Sequence, residues 1–384
     1  MNRLVPALAI LAPALALHAH KGMAPLFTIA AVAAGALFAW RRQPPAVDRE
    51  LAVLFAALAA WGLVSALWAI APGESLDLVY RLALMAAGTL LLLAAAAQAP
   101  DGKAAAAADA AILGGMLVGA SLLVVEWASG GAIMALVSAK AHPLTALKPG
   151  STVLVLLAWP ALLVAWRRLG ARGALALLLV LLLPLASLEG RTALLALLIG
   201  GAALALAWAA PRAAGLLLGP GVAFGVLAAP LLVALAHPVI GAERLAAMPA
   251  SGHHRLQIWK FAADHVFQAP LQGWGLNAAR SFPGADAVID AATRHTAMPL
   301  HPHNAALQVW LELGLVGAVL FAAILLVIAR RIAAIPDRAG RAAAFALLAS
   351  ALTITMLSYG AWQNWWLSAE AIAAVLMAAA LARR

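Results

Sequence analysis

Cysteine is absent from all 384 residues. That removes thiolate nucleophiles, zinc–cysteine sites and iron–sulfur clusters. It leaves the compartment open, because a chain without cysteine tolerates either redox state. Charge is scarce as well: Asp, Glu, Lys and Arg make up 10% of the chain, against 65% hydrophobic residues. A soluble domain carries about a quarter charged residues, so there is too little polar surface here to cover a globule in water, and disorder is excluded by the same numbers. Acidic residues are the scarcest, 15 against 25 Lys and Arg, for a net charge of +10. In a soluble protein that excess would point to nucleic acid. In a chain this apolar it is better read as basic loops flanking membrane spans, with lipids and not nucleic acid as the surroundings. Neither a P-loop nor an Asp-x-Asp pair is present, so neither ATP nor a metal-held nucleotide sugar is expected.

What the chain has is long apolar runs. A bilayer needs about 20 such residues per helix, and twelve runs qualify, near residues 4–18, 22–40, 51–70, 76–97, 104–128, 151–167, 173–189, 192–209, 214–236, 304–329, 342–361 and 365–382. The first, with Arg3 before a short apolar run and small residues after it, also has the look of a signal peptide. With the N-terminus placed inside, the loops carrying Arg41, Arg42 and Arg49, Lys103, Arg167, Arg168 and Arg172, Arg212, and Arg330, Arg331, Arg338 and Arg341 all fall inside, as does the Arg383-Arg384 tail. The outside turns at 71–75 and 362–364 carry no Lys or Arg. This alternation predicts an all-α, multi-pass membrane protein with both termini cytoplasmic. Residues 1–236 hold nine spans, 237–303 form a large outer loop, and 304–384 hold three more spans, the whole making one membrane domain. A second outer segment, 129–150, carries Lys140, His142 and Lys148. Within the long loop, residues 254–267 read as an amphipathic helix ended by Pro270, Gly273 and Gly275, expected to lie on the outer membrane face.

Ionisable residues in or beside spans are candidates for function, and here they collect at the outer face. Arg81 lies about one turn into the fourth span, and Arg191 sits in the turn Glu189-Gly190-Arg191-Thr192. Lys148 precedes the sixth span, Arg255 opens the amphipathic helix, and His301-Pro302-His303-Asn304 opens the tenth span, with Glu312 further along it. Arginines near a helix N-terminus suit a phosphate or pyrophosphate. A neutral histidine beside them suits general-base work, and Asn304 is placed to cap the helix. His301 is read as structural, and Glu312 as a partner for a neighbouring helix. His18 and His20 have a spacing that metals accept, but no third ligand accompanies them, and no metal is expected.

His303-Asn304-Ala305-Ala306-Leu307 with Glu312-Leu313-Gly314 and Gly317 resembles a signature of the O-antigen ligase and O-antigen polymerase superfamily. Arg255-Leu256-Gln257-Ile258-Trp259 and Pro270-Leu271-Gln272-Gly273-Trp274-Gly275 are similar to that family's large outer loop, and Glu189-Gly190-Arg191-Thr192-Ala193 to its arginine turn. Ser75-Leu76 with Arg81 in the fourth span is family-like too. The likeness covers residues 50 to 365 and is greatest to the bacterial O-antigen ligases of the WaaL type. Lys148-Pro149-Gly150 departs from it, since relatives often carry arginine there. The resemblance implies a GT-C-type membrane glycosyltransferase fold and no cofactor or metal. It further implies transfer of a polysaccharide from undecaprenyl pyrophosphate to lipid A–core oligosaccharide at the periplasmic face of the bacterial inner membrane. His303 would be the catalytic base and Arg81, Arg191 and Arg255 would hold the donor pyrophosphate, with Lys148, His301, Asn304 and Glu312 in support. The same motifs fit an O-antigen polymerase or a protein O-oligosaccharyltransferase. A transporter or flippase would instead show charges near the midplane and inverted repeats.

Overall fold

The computed structural model describes all residues except 1–2, 99–101, 139–141, 189–190, 247, 249, 291–293 and 383–384. Among the described residues the regular structure is helical apart from one antiparallel two-stranded ribbon, Val288–Asp290 against His295–Thr296. In chain order the helices are α1 Leu4–Ala16, α2 Met23–Arg41, α3 Arg49–Ser65, α4 Pro72–Ala97, α5 Gly102–Ala128, α6 Ala132–Val137, α7 Pro143–Ala146, α8 Lys148–Ser187, α9 Arg191–Ala209, α10 Pro211–Leu216, α11 Val222–Ala246, α12 Ala250–Val266, α13 Ala305–Ala333, α14 Arg338–Leu357 and α15 Asn364–Leu381. Their starts follow local chemistry. Asp48 accepts the Glu50 and Leu51 amides ahead of α3, and Asp337 accepts the Gly340 amide ahead of α14. Proline stands in the first turn of α4, α8 and α10, where its missing N–H costs nothing.

Nine stretches among the described residues are long and apolar enough to cross a membrane: α2, α4, α5, α8, α9, the continuous α10–α11, α13, α14 and α15. The 40 residues of α8 would measure about 60 Å as one rod, twice a bilayer's hydrocarbon thickness. Gly170, at φ 73° and ψ −171°, breaks it into two, with Arg167, Arg168 and Arg172 around the break. Helices α1 and α3 are also apolar but shorter.

The first half of α8 is the centre of the bundle: residues 150–165 are buried all round, the pattern of a helix enclosed by others. Its neighbours include α1, α5, α9, α14 and α15. Small residues set the closeness of this packing. A Cβ added at Gly115 of α5 would lie 2.0 Å from the Ala9 carbonyl oxygen, so α1 rests on α5 at backbone contact. Trp159 Nε1 donates to Ser350 Oγ (2.8 Å), which donates to the Ala196 carbonyl (2.7 Å), joining α8, α14 and α9. Large apolar side chains such as Ile29, Val32, Leu67 and Phe224 point out of the bundle and are exposed.

The two ends of the bundle differ. At one, Arg331 meets Asp48 (2.7 Å), Arg167 meets Asp337 (2.6 Å), Arg168 meets Asp109 (2.7 Å) and Arg330 meets Glu50. Arg338 donates to the Trp208 carbonyl there. At the other end the connections between helices are longer. The residue 254–267 helix is α12, which starts a turn earlier and ends one residue earlier. Its apolar face, Ile258, Ala262, Ala263 and Val266, is buried against α11 and α13. It therefore rests on protein, where the sequence alone suggested a membrane surface; Phe267, just past its end, is exposed.

Candidate functional site

The site begins with the turn that starts α13. Asn304 is extended and its Oδ1 accepts the Leu307 amide (3.0 Å), capping the helix. The preceding residue, His303, has φ 55°, a left-handed conformation that costs a non-glycine residue about 1–2 kcal/mol. Three bonds hold it there. His303 Nδ1 lies 2.5 Å from the Ser358 carbonyl, the His303 amide donates to His301 Nδ1 (3.2 Å), and Trp259 Nε1 of α12 donates to the Pro302 carbonyl (3.0 Å).

These bonds fix both tautomers. A carbonyl only accepts, so His303 carries its proton on Nδ1 and leaves Nε2 with a free lone pair. No hydrogen bond from a described residue reaches that Nε2. An amide only donates, so His301 Nδ1 is bare and its proton is on Nε2, which stands 3.1 Å from the Gln363 side-chain amide. His303 is thus the base-competent ring and His301 a donor. The ring centroids are 4.3 Å apart, edge to face.

Electrostatics keep both rings neutral. Burial lowers the His303 pKa below the usual 6.5; the Ser358 carbonyl works against that, and the charge of Arg255 and the neighbouring His254 add to the lowering. Burial, His303 and Arg280 push His301 down to about 3. Arg255, half-buried on α12, has its own pKa lowered by burial and forms no ion pair among the described residues.

Beside His301 lies a cavity of about 490 Å³ between the start of α4, the connection 358–363 and the loop 276–281. Glu74, Asp77, Arg81, Arg280, Trp362 and Gln363 are in its wall; His303 and Arg255 are not. Arg81 is ion-paired with Asp77 one turn back, and Glu74 accepts from the Asn277 side-chain amide (3.2 Å). A second cavity of about 580 Å³ shares the Arg280, Ser281 and Leu300 wall.

A joint between loop and helix positions this wall. α13 breaks at Gly314 (φ 63°), and Gly273 (φ 69°) of the loop sits in the break. The Trp274 and Gly275 amides donate to the Leu311 and Glu312 carbonyls (2.9 Å each), and Trp61 Nε1 donates to the Leu313 carbonyl (2.9 Å). Acceptors left over by the interrupted helix are thereby satisfied. A Cβ on Gly314 would come 2.3 Å from the Leu271 carbonyl oxygen, and one on Gly273 would come 2.5 Å from the Glu312 carbonyl oxygen. Fully buried Glu312 completes the joint: its carboxylate accepts the Asn277 amide (2.8 Å), Trp362 Nε1 (2.7 Å) and Gln308 Nε2 (3.0 Å). Its partners are thus the loop before α13, the 358–363 connection and its own helix. Residues 315–333 alone measure about 28 Å, close to the hydrocarbon thickness, so residues 305–313 stand at the loop end of the bundle.

The arrangement brings together His301, His303, Arg255 and, through the cavity, Arg81. It does not bring Arg191 to them: Arg191 is exposed at the first residue of α9, with no bond to the site. The Glu189-Gly190 part of its turn, and Lys140, lie outside the described residues. Lys148 is half-buried at the start of α8, outside the cavity wall. His18 bonds to Glu126 (2.5 Å) and His20 packs against Trp365. Sequence reasoning missed Arg280, in the turn Ala278–Arg280, along with Glu74, Asp77 and Gln363.

Comparison with known proteins finds that residues 175–322 match the family model Wzy_C, O-antigen ligase. Proteins named "Putative polysaccharide ligase" from Rickettsia conorii and Rickettsia felis are each 28% identical over 265 residues, 68% of this chain and 64% and 65% of theirs. The protein of the same name from Rickettsia prowazekii is 34% identical over 155 residues, 40% of this chain and 38% of its own. The matched part therefore spans less than two thirds of these relatives.

Proposed function

We propose that this O-antigen ligase-type protein transfers a polysaccharide from undecaprenyl pyrophosphate to lipid A–core oligosaccharide, at the periplasmic face of the bacterial inner membrane. Twelve crossings in a GT-C-type fold go with this reading. It is supported by the nine long apolar stretches, by the Gly170 break that makes two rods of one, and by apolar α1 and α3. Cytoplasmic termini are supported by the gathering of the Arg-rich connections at one end.

The observation that carries the proposal is the His303 tautomer: Nδ1–H bound to the Ser358 carbonyl, Nε2 bare, and Arg255 close enough for its charge to act on the ring. In the reaction, His303 Nε2 takes the proton of an acceptor hydroxyl. That oxygen attacks the anomeric carbon from the face opposite the pyrophosphate, and the carbon–oxygen bond to pyrophosphate breaks with inversion. The bonding pair leaves on the phosphate, where arginine stabilises it. Arg255, beside the base, is the first of these arginines. Arg191, on α9, is its partner in the reading, and Arg81, on α4, joins them only by leaving its pair with Asp77. The lipid already carries a good leaving group, so no nucleotide is consumed.

The test is an add-back assay with the purified full-length protein, lipid-linked glycan and lipid A–core, without nucleotide or metal. Glycan joined to lipid A–core is the expected result, and His303→Ala should lower the rate about 10²–10⁴-fold. Joining of one lipid-linked glycan to another, or to a protein acceptor, with lipid A–core ignored, would overturn the ligase assignment. Near-normal turnover in His303→Ala would remove it as the base.

A further inference from the structure

The cavity beside His301 has a wall whose chemistry differs from that of a pyrophosphate site. A pyrophosphate needs several uncommitted cations. Here Arg81 is already paired with Asp77, and the Glu74 and Asp77 carboxylates would repel a second phosphate. One cation remains: Arg280 forms no ion pair among the described residues and stands where the two cavities meet. The rest of the wall suits sugar hydroxyls. Carboxylates and the Gln363 amide accept or donate to neighbouring hydroxyls. Trp362 has its nitrogen tied to Glu312 and its ring on the cavity, a flat apolar face for the C–H side of a pyranose. Arg255, the cation nearest the base, lies outside this wall.

We propose that this cavity binds a hydroxyl-rich sugar of the acceptor that carries a single negative group, with Arg280 holding the charge and Glu74, Gln363 and Trp362 holding the ring. The proposal rests on the glycosyl-transfer reading. It adds an acceptor subsite separate from the donor pyrophosphate, with the two joined at the His301–His303 contact. Arg280 is put in place by a chain of bonds: Glu312 holds the Asn277 amide, Glu74 holds the Asn277 side chain, and the turn Ala278–Arg280 follows directly. Arg280 is therefore a binding residue for the acceptor and Glu312 a positioning residue for it.

The experiment uses the full-length protein in detergent and the soluble oligosaccharide released from lipid A–core, before and after phosphatase treatment. Equilibrium dialysis without donor measures binding. The phosphorylated form should bind wild type about tenfold more tightly than the treated form, the scale of one charge-assisted contact. Arg280→Ala should abolish that difference and leave binding of the treated form unchanged; Glu74→Gln should weaken both. In the transfer assay Arg280→Ala should raise KM for the acceptor about tenfold and leave KM for the lipid-linked donor as it was. Equal binding of the two oligosaccharides to wild type and Arg280→Ala, with transfer intact, overturns this proposal and spares the ligase reading. A rise in donor KM instead assigns the cavity to the donor and also overturns it. Arg280-dependent binding in a protein that transfers no lipid-linked glycan supports the sugar site and overturns the ligase reading.

Discussion

At the residue scale, a histidine serves as a base only if one ring nitrogen is bare and the ring stays neutral at working pH. The pair 301 and 303 divides these duties by the groups each one touches. His303 was legible in the sequence because it stands beside a capping residue at the head of an apolar run. The choice between the two rings was legible only from the resemblance, since their tautomers depend on Ser358 and on a backbone amide. Arg280 was illegible: it reaches His301 because a glycine-rich loop folds back onto α13, and nothing near Arg280 in sequence announces that. A pH experiment tests the electrostatics. In the proposed reaction the reactive form of His303 is neutral, and its pKa is held below 6.5 by burial and by the Arg255 charge. The rate (kcat/KM) should therefore stay level as pH falls through 6.5 and decline only below it. Arg255→Ala removes a positive neighbour, so the ring should protonate more readily and the acid limb should move to higher pH. The measurement is the position of that limb in the transfer assay, independent of any loss in height from weaker donor binding. A limb that stays in place in Arg255→Ala would separate Arg255 from the base.

At the element scale, span positions were readable because an apolar run of bilayer length has little use except to cross a membrane. The breaks were not readable. A glycine inside an apolar run looks the same whether the helix continues or folds away, and the meaning of Gly314 depends on Gly273, which comes from another element. The amphipathic pattern of α12 was visible, but a pattern does not say whether its apolar side meets lipid or protein. The Gly273–Gly314 joint sets the direction of the half-helix that carries His303. Gly314→Ala places a Cβ 2.3 Å from the Leu271 carbonyl oxygen, at a φ of 63°. We expect it to cost about 2 kcal/mol or more, seen as a lower melting temperature in detergent together with reduced transfer. Gly225→Ala in α11, where an added Cβ meets nothing within 4 Å, is the comparison and should leave the melting temperature unchanged or raise it slightly. Equal melting of the two variants would mean that the loop does not sit in the break.

At the scale of the whole molecule, orientation was deduced from which loops carry arginine, and the bundle gives that deduction a geometric counterpart. Carboxylates from the cap and first turn of α3 and from the first part of α5 meet arginines from the α8 break and from the last turn of α13 at one end. Such pairs are possible only if those segments share a side. The half-helix 305–313, the loop before it and the connection 358–363 share the opposite side through the bonds of His303 and Glu312. On the positive-inside tendency we expect the arginine end to be the cytoplasmic one. Because the chain has no cysteine of its own, single introduced cysteines report cleanly. Both test positions must be exposed: Asp286 in the loop before α13 and Ala334 in the α13–α14 connection are, whereas Ala285 is buried. A membrane-impermeant thiol reagent added to intact spheroplasts should label Asp286→Cys at once and reach Ala334→Cys only after the membrane is opened. The reverse pattern would turn the protein over, putting His303 and its arginines on the cytoplasmic side, and the proposed periplasmic ligation would fall with the topology.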